Sequence, residues 1–154
     1  MIQRIQTIYL AIAIICMGLV FLFPFATYTF IGEPTTFESF TGLGFEKGTN
    51  DFFTFPVIIN IFLSIILSIL AILSFKNRKR QILITKINFI TVLLLVVFIF
   101  ANFNFIESFL SISKENISYG IGMFLPIVAL VAIIMAYRAI KKDEDLIKSM
   151  DRIR

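Results

Sequence analysis

The sequence predicts an all-α protein: a four-helix transmembrane bundle with both termini cytoplasmic and the fourth helix extended by an amphipathic cytoplasmic tail. Three observations lead to this prediction. Of the 154 residues, 58% are hydrophobic, and the mean hydropathy of +0.94 lies far above that of soluble domains. The apolar residues form four long runs, and most of the cations lie outside those runs on one predicted side. The last segment is highly charged and has a helical pattern.

Each of the four apolar runs is long enough to cross the hydrocarbon core of a bilayer, which takes about 20 helical residues. The runs lack the alternation of polar and apolar residues that marks the strands of membrane barrels, so we predict helices. The chain is then one integral membrane domain, 1–154. Its predicted spans are residues 5–28, 52–75, 82–104 and 120–137, and its tail is 138–154.

The distribution of Lys and Arg predicts the orientation of the bundle. Twelve of the 14 cations lie near the N-terminus, around the connection between the second and third runs, or in the tail. The other two, Lys47 and Lys114, lie in connections that also hold six acidic residues. Cytoplasmic segments are enriched in Lys and Arg, so we expect both termini to be cytoplasmic. The cations expected to set the topology or to contact anionic lipid are Arg4, Lys76, Arg78, Lys79 and Arg80.

Small and polar residues recur at helical spacing inside the spans. Asn60, Ser64 and Ser68 follow one another every four residues in the second span, and Ala129, Ala132 and Ala136 share one face of the fourth. Small residues let helix backbones approach closely, and hydroxyls add hydrogen bonds between helices. We therefore predict interhelical packing at these six positions. The alternative for the polar set is the lining of a solute path.

The composition disfavours several kinds of chemistry. The chain has no His, and its single Cys lies inside the first apolar run, so common general bases and thiolate metal sites are missing. The span interiors hold no Asp or Glu that could relay protons or ions. We predict that the protein is not an enzyme, that it has no catalytic, cofactor-binding or metal-binding residues, and that it uses no cofactor.

The two connections on the predicted outer side differ in character. The stretch 27–31 is rich in residues typical of strands, and Gly32–Pro34 could turn the chain. A short hairpin and a loop lying at the membrane surface are both consistent with this composition. The second connection, residues 106–120, is expected to be partly helical.

The tail, RAIKKDEDLIKSMDRIR, carries its apolar side chains on one helical face. That face continues the alanine face of the fourth span and is interrupted only by Asp143. We predict that residues 138–153 extend the fourth helix and that this apolar seam packs on the cytoplasmic ends of the other helices or on a second protein. The predicted docking residues are Ile140, Leu146, Ile147, Met150 and Ile153.

The opening MIQRIQT and the closing tail together resemble a bacterial family known as domain of unknown function 4293, and the resemblance extends over the whole chain. It implies a small integral protein in the inner membrane of bacteria with two membranes, and it implies no activity. It also draws attention to the two cytoplasmic ends.

The leading functional hypothesis is a non-enzymatic accessory or scaffold subunit of an inner-membrane complex, in export or envelope assembly, that docks through its cytoplasmic ends. The alternative is a small transporter or channel that acts as an oligomer. The expected partners are the lipid bilayer and other membrane proteins or further copies of the chain. A nucleic acid is not expected as a partner, and no small-molecule substrate is identified from the sequence.

Overall fold

The structure, a computed structural model, describes residues 2–30, 36–41, 44–45, 51–110 and 117–152, with side chains over 5–27, 56–101, 118–147 and at 149. Within these residues the chain forms four helices and a small antiparallel sheet. The helices are α1 (Ile2–Leu19), α2 (Asp51–Leu73), α3 (Arg78–Leu110) and α4 (Leu125–Arg152). The strands are β1 (Ala26–Phe30), β2 (Thr36–Thr41), β3 (Gly44–Phe45) and β4 (Ile117–Tyr119).

Three stretches are long and apolar enough to cross a membrane: Pro56–Lys76, Arg78–Ala101 and Ile121–Ile147. The apolar part of α1, Ile5–Leu19, is shorter. Many large apolar side chains on the outside of the bundle are exposed, including Ile66 on α2, Leu94 on α3 and Val131 on α4. Such surfaces would be costly in water and are favourable against lipid, so we describe the chain as a membrane protein.

The first helix ends earlier than the predicted span of 5–28. After Leu19, Leu22 and Phe23 both donate backbone hydrogen bonds to the Leu19 carbonyl, which closes the last turn. Pro24 then prevents continuation, because proline has no N–H and disfavours helical geometry in the residue before it. The chain enters β1 at Ala26, so the last residues of the predicted first span form a turn and a strand.

The four strands form one sheet with the order β3-β2-β1-β4. In the sequence, β1, β2 and β3 lie between α1 and α2, and β4 lies between α3 and α4. β1 and β2 form an antiparallel hairpin in which Ala26 pairs with Phe40 and Phe30 with Thr36. β4 pairs antiparallel with the other edge of β1, with Thr27 opposite Ser118. The fold is mostly helical, and the sheet is the part that the all-α prediction omitted, although the β1–β2 hairpin agrees with one of the two alternatives for the first outer connection. The second connection, residues 106–120, is partly helical as expected, because α3 continues to Leu110, and residues 117–119 form β4; residues 111–116 lie outside the described part.

Backbone contacts hold the end of α1 against the start of α4. The Gly120 N–H donates to the Phe25 carbonyl at 2.8 Å, and the Gly122 N–H donates to the Pro24 carbonyl at 3.1 Å. A Cβ atom on either glycine would lie within 2.6 Å of a backbone oxygen of the turn, so both positions require the absence of a side chain. Gly122 belongs to a 3-10 turn, Ile121–Met123, that leads into α4.

The core lies along the axis of the bundle. α1 packs on α4 and α2 packs on α3, and the pairs meet through contacts of α3 with α4 and of α1 with α2. The alanine face of α4 is turned inward, with Ala129, Ala132 and Ala136 all buried. The main buried cluster includes Ala13, Met17, Val20, Phe25, Val57, Ile61, Val92, Leu95, Ile99, Ala129 and Ile133.

The fourth helix runs without interruption from Leu125 to Arg152, which corresponds to a length of about 42 Å at 1.5 Å per residue. Residues 138–152 are therefore helical and continue the apolar part of α4, whereas 153 and 154 lie outside the described residues. The helix begins at Leu125 and not at Gly120, the start of the predicted span. Pro126 consequently lies in the first turn, where its missing N–H costs no intrahelical hydrogen bond.

Candidate functional site

One end of the bundle collects most of the described cations. The beginning of α1, the connection from α2 to α3 and the last part of α4 meet there, because α2 and α3 form a hairpin and α1 and α4 run in opposite directions. We call this end the basic end and define it by its described cations: Lys76, Arg78, Lys79, Arg80, Arg138, Lys141 and Lys142.

A buried polar cluster joins the three chain segments of the basic end. The Gln6 amide on α1 donates a hydrogen bond to Oδ2 of Asp143 on α4. The guanidinium of Arg78, the first residue of α3, donates to the Asp143 backbone carbonyl at 2.9 Å. Gln6 is only 4% exposed and Asp143 only 5%. A buried carboxylate is costly unless it is hydrogen-bonded, so these contacts fix α4 against α1 and α3 at this position.

Asp143 explains why the apolar seam of the tail is interrupted. The residue lies on the inward face of α4, as does Ile140, which is completely buried. The second carboxylate oxygen of Asp143, Oδ1, is also buried and accepts no hydrogen bond from the residues that the structure describes. The Gln6 bond supplies the polar partner that an apolar neighbour on α1 could not provide.

The predicted docking residues do not form one surface. Ile140 is completely buried in the interior of this chain, which agrees with the first of the two alternatives for the seam, packing on the other helices. Leu146 and Ile147 are 47% and 37% exposed, beyond the Gln6–Asp143 contact. The side chain of Met150 and the whole of Ile153 lie outside the described residues, so their docking role stays a prediction.

Cations surround the exposed Leu146. A shallow depression of about 490 Å³ on the outer side of α4 is lined by Leu146 together with Arg138, Lys141, Lys142, Asp145 and Ser149. The surface available to a partner is therefore one apolar side chain whose neighbours in the depression are mostly basic. Its chemistry would suit a partner helix that presents an apolar residue flanked by acids.

The cations predicted to set the topology divide into two groups. Lys76, Lys79 and Arg80 are exposed, whereas Arg78 is half-buried because its guanidinium reaches α4. Arg78 thus has a packing contact that the sequence pattern did not indicate. The side chain of Arg4 lies outside the described residues.

A second polar cluster lies deeper in the bundle, between α2 and α3. The Ser64 hydroxyl donates to Oδ1 of Asn88 at 2.9 Å, and Nδ2 of Asn88 donates to the Ser68 hydroxyl at 2.8 Å. All three residues are completely buried. Asn60 differs, because its amide donates to the Pro56 carbonyl of its own helix at 2.7 Å and so adds no bond between helices in the described contacts.

Asn88 and Gln6 were not among the residues predicted from the sequence. A signal for Asn88 was present: Gln81, Thr85 and Asn88 are spaced by four and three residues, which places three polar side chains on one face of α3. All three are buried. Gln6 had no comparable signal, because its partner Asp143 is distant in sequence.

We expect the Asn88→Leu variant to be less stable than the wild type by about 1–2 kcal/mol, since hydrogen bonds between membrane helices contribute about 0.6–1.7 kcal/mol each. The matched control is Thr91→Val, because the Thr91 hydroxyl donates to the Ile87 carbonyl of its own helix. Unfolding of both purified variants by sodium dodecyl sulfate would measure the difference. Equal stability of the two variants would show that the cluster does not hold α2 to α3.

Among the residues that the structure describes, no group of three His, Cys, Asp or Glu side chains could hold a metal ion.

The sequence model of a family described as "Domain of unknown function (DUF4293)" matches residues 2–153. The search of the curated proteins and the search of the solved structures gave no match.

Proposed function

The chain belongs to the DUF4293 family, and we propose that it is a non-enzymatic accessory or scaffold subunit of a complex in the bacterial inner membrane. In this proposal the bundle anchors the protein in the bilayer, and the basic end presents the last part of α4 to a partner protein. Export and envelope assembly are the processes that such a subunit would serve.

The observation that carries the proposal is the way in which α4 is held at the basic end. The Gln6–Asp143 and Arg78–Asp143 contacts fix one turn of α4 in place. The next turn carries Leu146 and Ile147, which remain exposed. A helix fixed at its base loses little conformational freedom when a partner binds its end, which favours association. The polar cluster thus supports a docking role for the turn that follows it.

The orientation of the proposed subunit follows from its charges. The basic end combines the α2–α3 connection with the last part of α4, and cations are enriched in cytoplasmic segments. We therefore expect a reporter fused after Arg154, or inserted between Arg78 and Arg80, to be cytoplasmic, and a reporter inserted at Gly42 to be external. Paired alkaline phosphatase and fluorescent protein fusions measure this directly. A periplasmic C-terminus would contradict the orientation.

Purification of the full-length protein in a mild detergent, with identification of stoichiometric partners by mass spectrometry, tests the proposed role. We expect at least one membrane protein to co-purify in a defined ratio. The contrasting measurement is solute uptake by the purified protein in vesicles. The bonding of Ser64 and Ser68 to Asn88 favours a packing role for these hydroxyls, so we expect no uptake. Reproducible uptake without a co-purifying partner would contradict the accessory role.

A further inference from the structure

A groove between α3 and α4 combines an apolar floor with two cations. It has a volume of about 510 Å³, within the usual range for ligand sites. Phe89 and Ile90 line it from α3, and Ile133 and Ile134 line it from α4. The remaining lining residues, also divided between the two helices, are Thr85, Lys86, Tyr137 and Arg138.

The polar and apolar parts of the groove are separated along the bundle axis. On α3, Lys86 lies closer to the basic end than Ile90 by four residues, or about 6 Å. On α4, which runs in the opposite direction, Arg138 lies closer to the basic end than Ile134 by the same interval. The two cations are therefore at one mouth of the groove, and the apolar side chains continue from that mouth towards the middle of the bundle.

Lys86 and Arg138 mark a boundary in the charge of their helices. Residues 87–106 of α3 and residues 125–137 of α4 contain no Asp, Glu, Lys or Arg. On their helices, these two cations are therefore the first charges met on leaving the apolar middle of the bundle towards the basic end. The ammonium of Lys86 lies 5.8 Å from the centre of the Tyr137 ring, a contact that holds it across the groove.

From this geometry we propose that the groove between α3 and α4 is a binding site for an anionic glycerophospholipid. Lys86 and Arg138 bind the phosphate, and an acyl chain lies along Phe89, Ile90, Ile133 and Ile134. No acidic residue is among the eight that line the groove, so the charge of the site is complementary to a phosphodiester. The exposed cations Lys79 and Arg80 do not line the groove and attract anionic lipid only through the general field of the basic end.

The test is lipid binding by the purified full-length protein in detergent, followed by native mass spectrometry during titration with phosphatidylglycerol or phosphatidylcholine. We expect the wild type to retain phosphatidylglycerol in preference to phosphatidylcholine. The Lys86→Gln/Arg138→Gln variant should bind phosphatidylglycerol about thirtyfold more weakly, the factor that corresponds to the loss of about 1 kcal/mol for each direct cation–phosphate hydrogen bond. The charge-conserving Lys86→Arg/Arg138→Lys variant should retain binding and shows that the site remains folded.

The matched control is Lys79→Gln/Arg80→Gln, which removes the same charge outside the groove and should leave retention near that of the wild type. Equal losses in the two Gln variants would overturn the proposal, because they would indicate bulk electrostatics only. Ile90→Trp, which fills the apolar part of the groove, should also weaken lipid retention. Displacement of the lipid by inorganic phosphate, with no effect of Ile90→Trp, would assign the site to free phosphate and would also overturn the proposal.

Discussion

Replacing Gly122 with alanine should destabilise the bundle by about 3 kcal/mol, at the upper end of the usual cost of overpacking. The added Cβ would lie 2.5 Å from the Phe23 carbonyl oxygen and 2.6 Å from that of Pro24. Both atoms belong to the backbone of the turn after α1, so a side-chain rotation cannot relieve the clash. The chain would have to move the start of α4 away from the turn and would lose the hydrogen bond from the Gly122 N–H to the Pro24 carbonyl.

Gly18 provides a matched control for this prediction. It lies in the last turn of α1, and a Cβ atom added there would meet nothing within 4 Å. Because alanine is favoured over glycine in helices by up to about 1 kcal/mol, Gly18→Ala should be neutral or slightly stabilising. Thermal and detergent-induced unfolding of the two purified variants would measure both effects. If Gly122→Ala were as stable as Gly18→Ala, the α1–α4 junction would not be tightly packed.

The helical part of the fold could be predicted from the sequence, because the bilayer imposes a strong requirement for long apolar runs. Four such runs correspond to α1–α4. Of the sheet, only the β1–β2 hairpin was anticipated, as one of two alternatives; β4 was harder to predict, because it has only three residues and its partner β1 is distant in sequence. The end of α1 was also missed. The apolar run continues through Pro24 to Tyr28, and hydropathy does not distinguish an apolar helix from an apolar strand.

The candidate site could also be predicted only in part from the sequence. Helical periodicity predicts which side chains share a face, but it does not show where the neighbouring helices end. Ile140 and Leu146 were both assigned to one seam, yet Ile140 is buried and Leu146 is exposed, and α1 and α3 contact α4 at Asp143, between the two. The contact between Gln6 and Asp143 depends on how far α1 extends beside α4, and no local sequence pattern shows this.

The second large effect is expected at the exposed turn of α4. Replacing both Leu146 and Ile147 with Asp should abolish association with the partner while leaving the bundle inserted and folded. Both side chains lie outside the core clusters and beyond the Gln6–Asp143 contact, so their loss removes little internal packing. A docked partner would have to bury two unpaired carboxylates, which is strongly unfavourable.

Two variants separate the apolar contact from a general effect of charge. Lys76→Asp changes the net charge by as much as the double Asp variant does, but it alters an exposed cation that does not line the depression around Leu146, and it leaves Leu146 and Ile147 intact. It should weaken association less. Leu146→Ala with Ile147→Ala removes the apolar area without adding charge and should weaken association markedly. Circular dichroism and size-exclusion chromatography in detergent establish that each variant is folded.

The most direct test of the docking role is quantitative co-purification of the identified partner with the wild type, with Leu146→Asp/Ile147→Asp and with Lys76→Asp, all expressed at equal membrane levels. The account predicts loss of the partner only from the double Asp variant, with most of it retained by Lys76→Asp. Retention of the full amount of partner by a folded double Asp variant would show that the end of α4 is a solvated extension, and it would contradict docking through this end of the bundle.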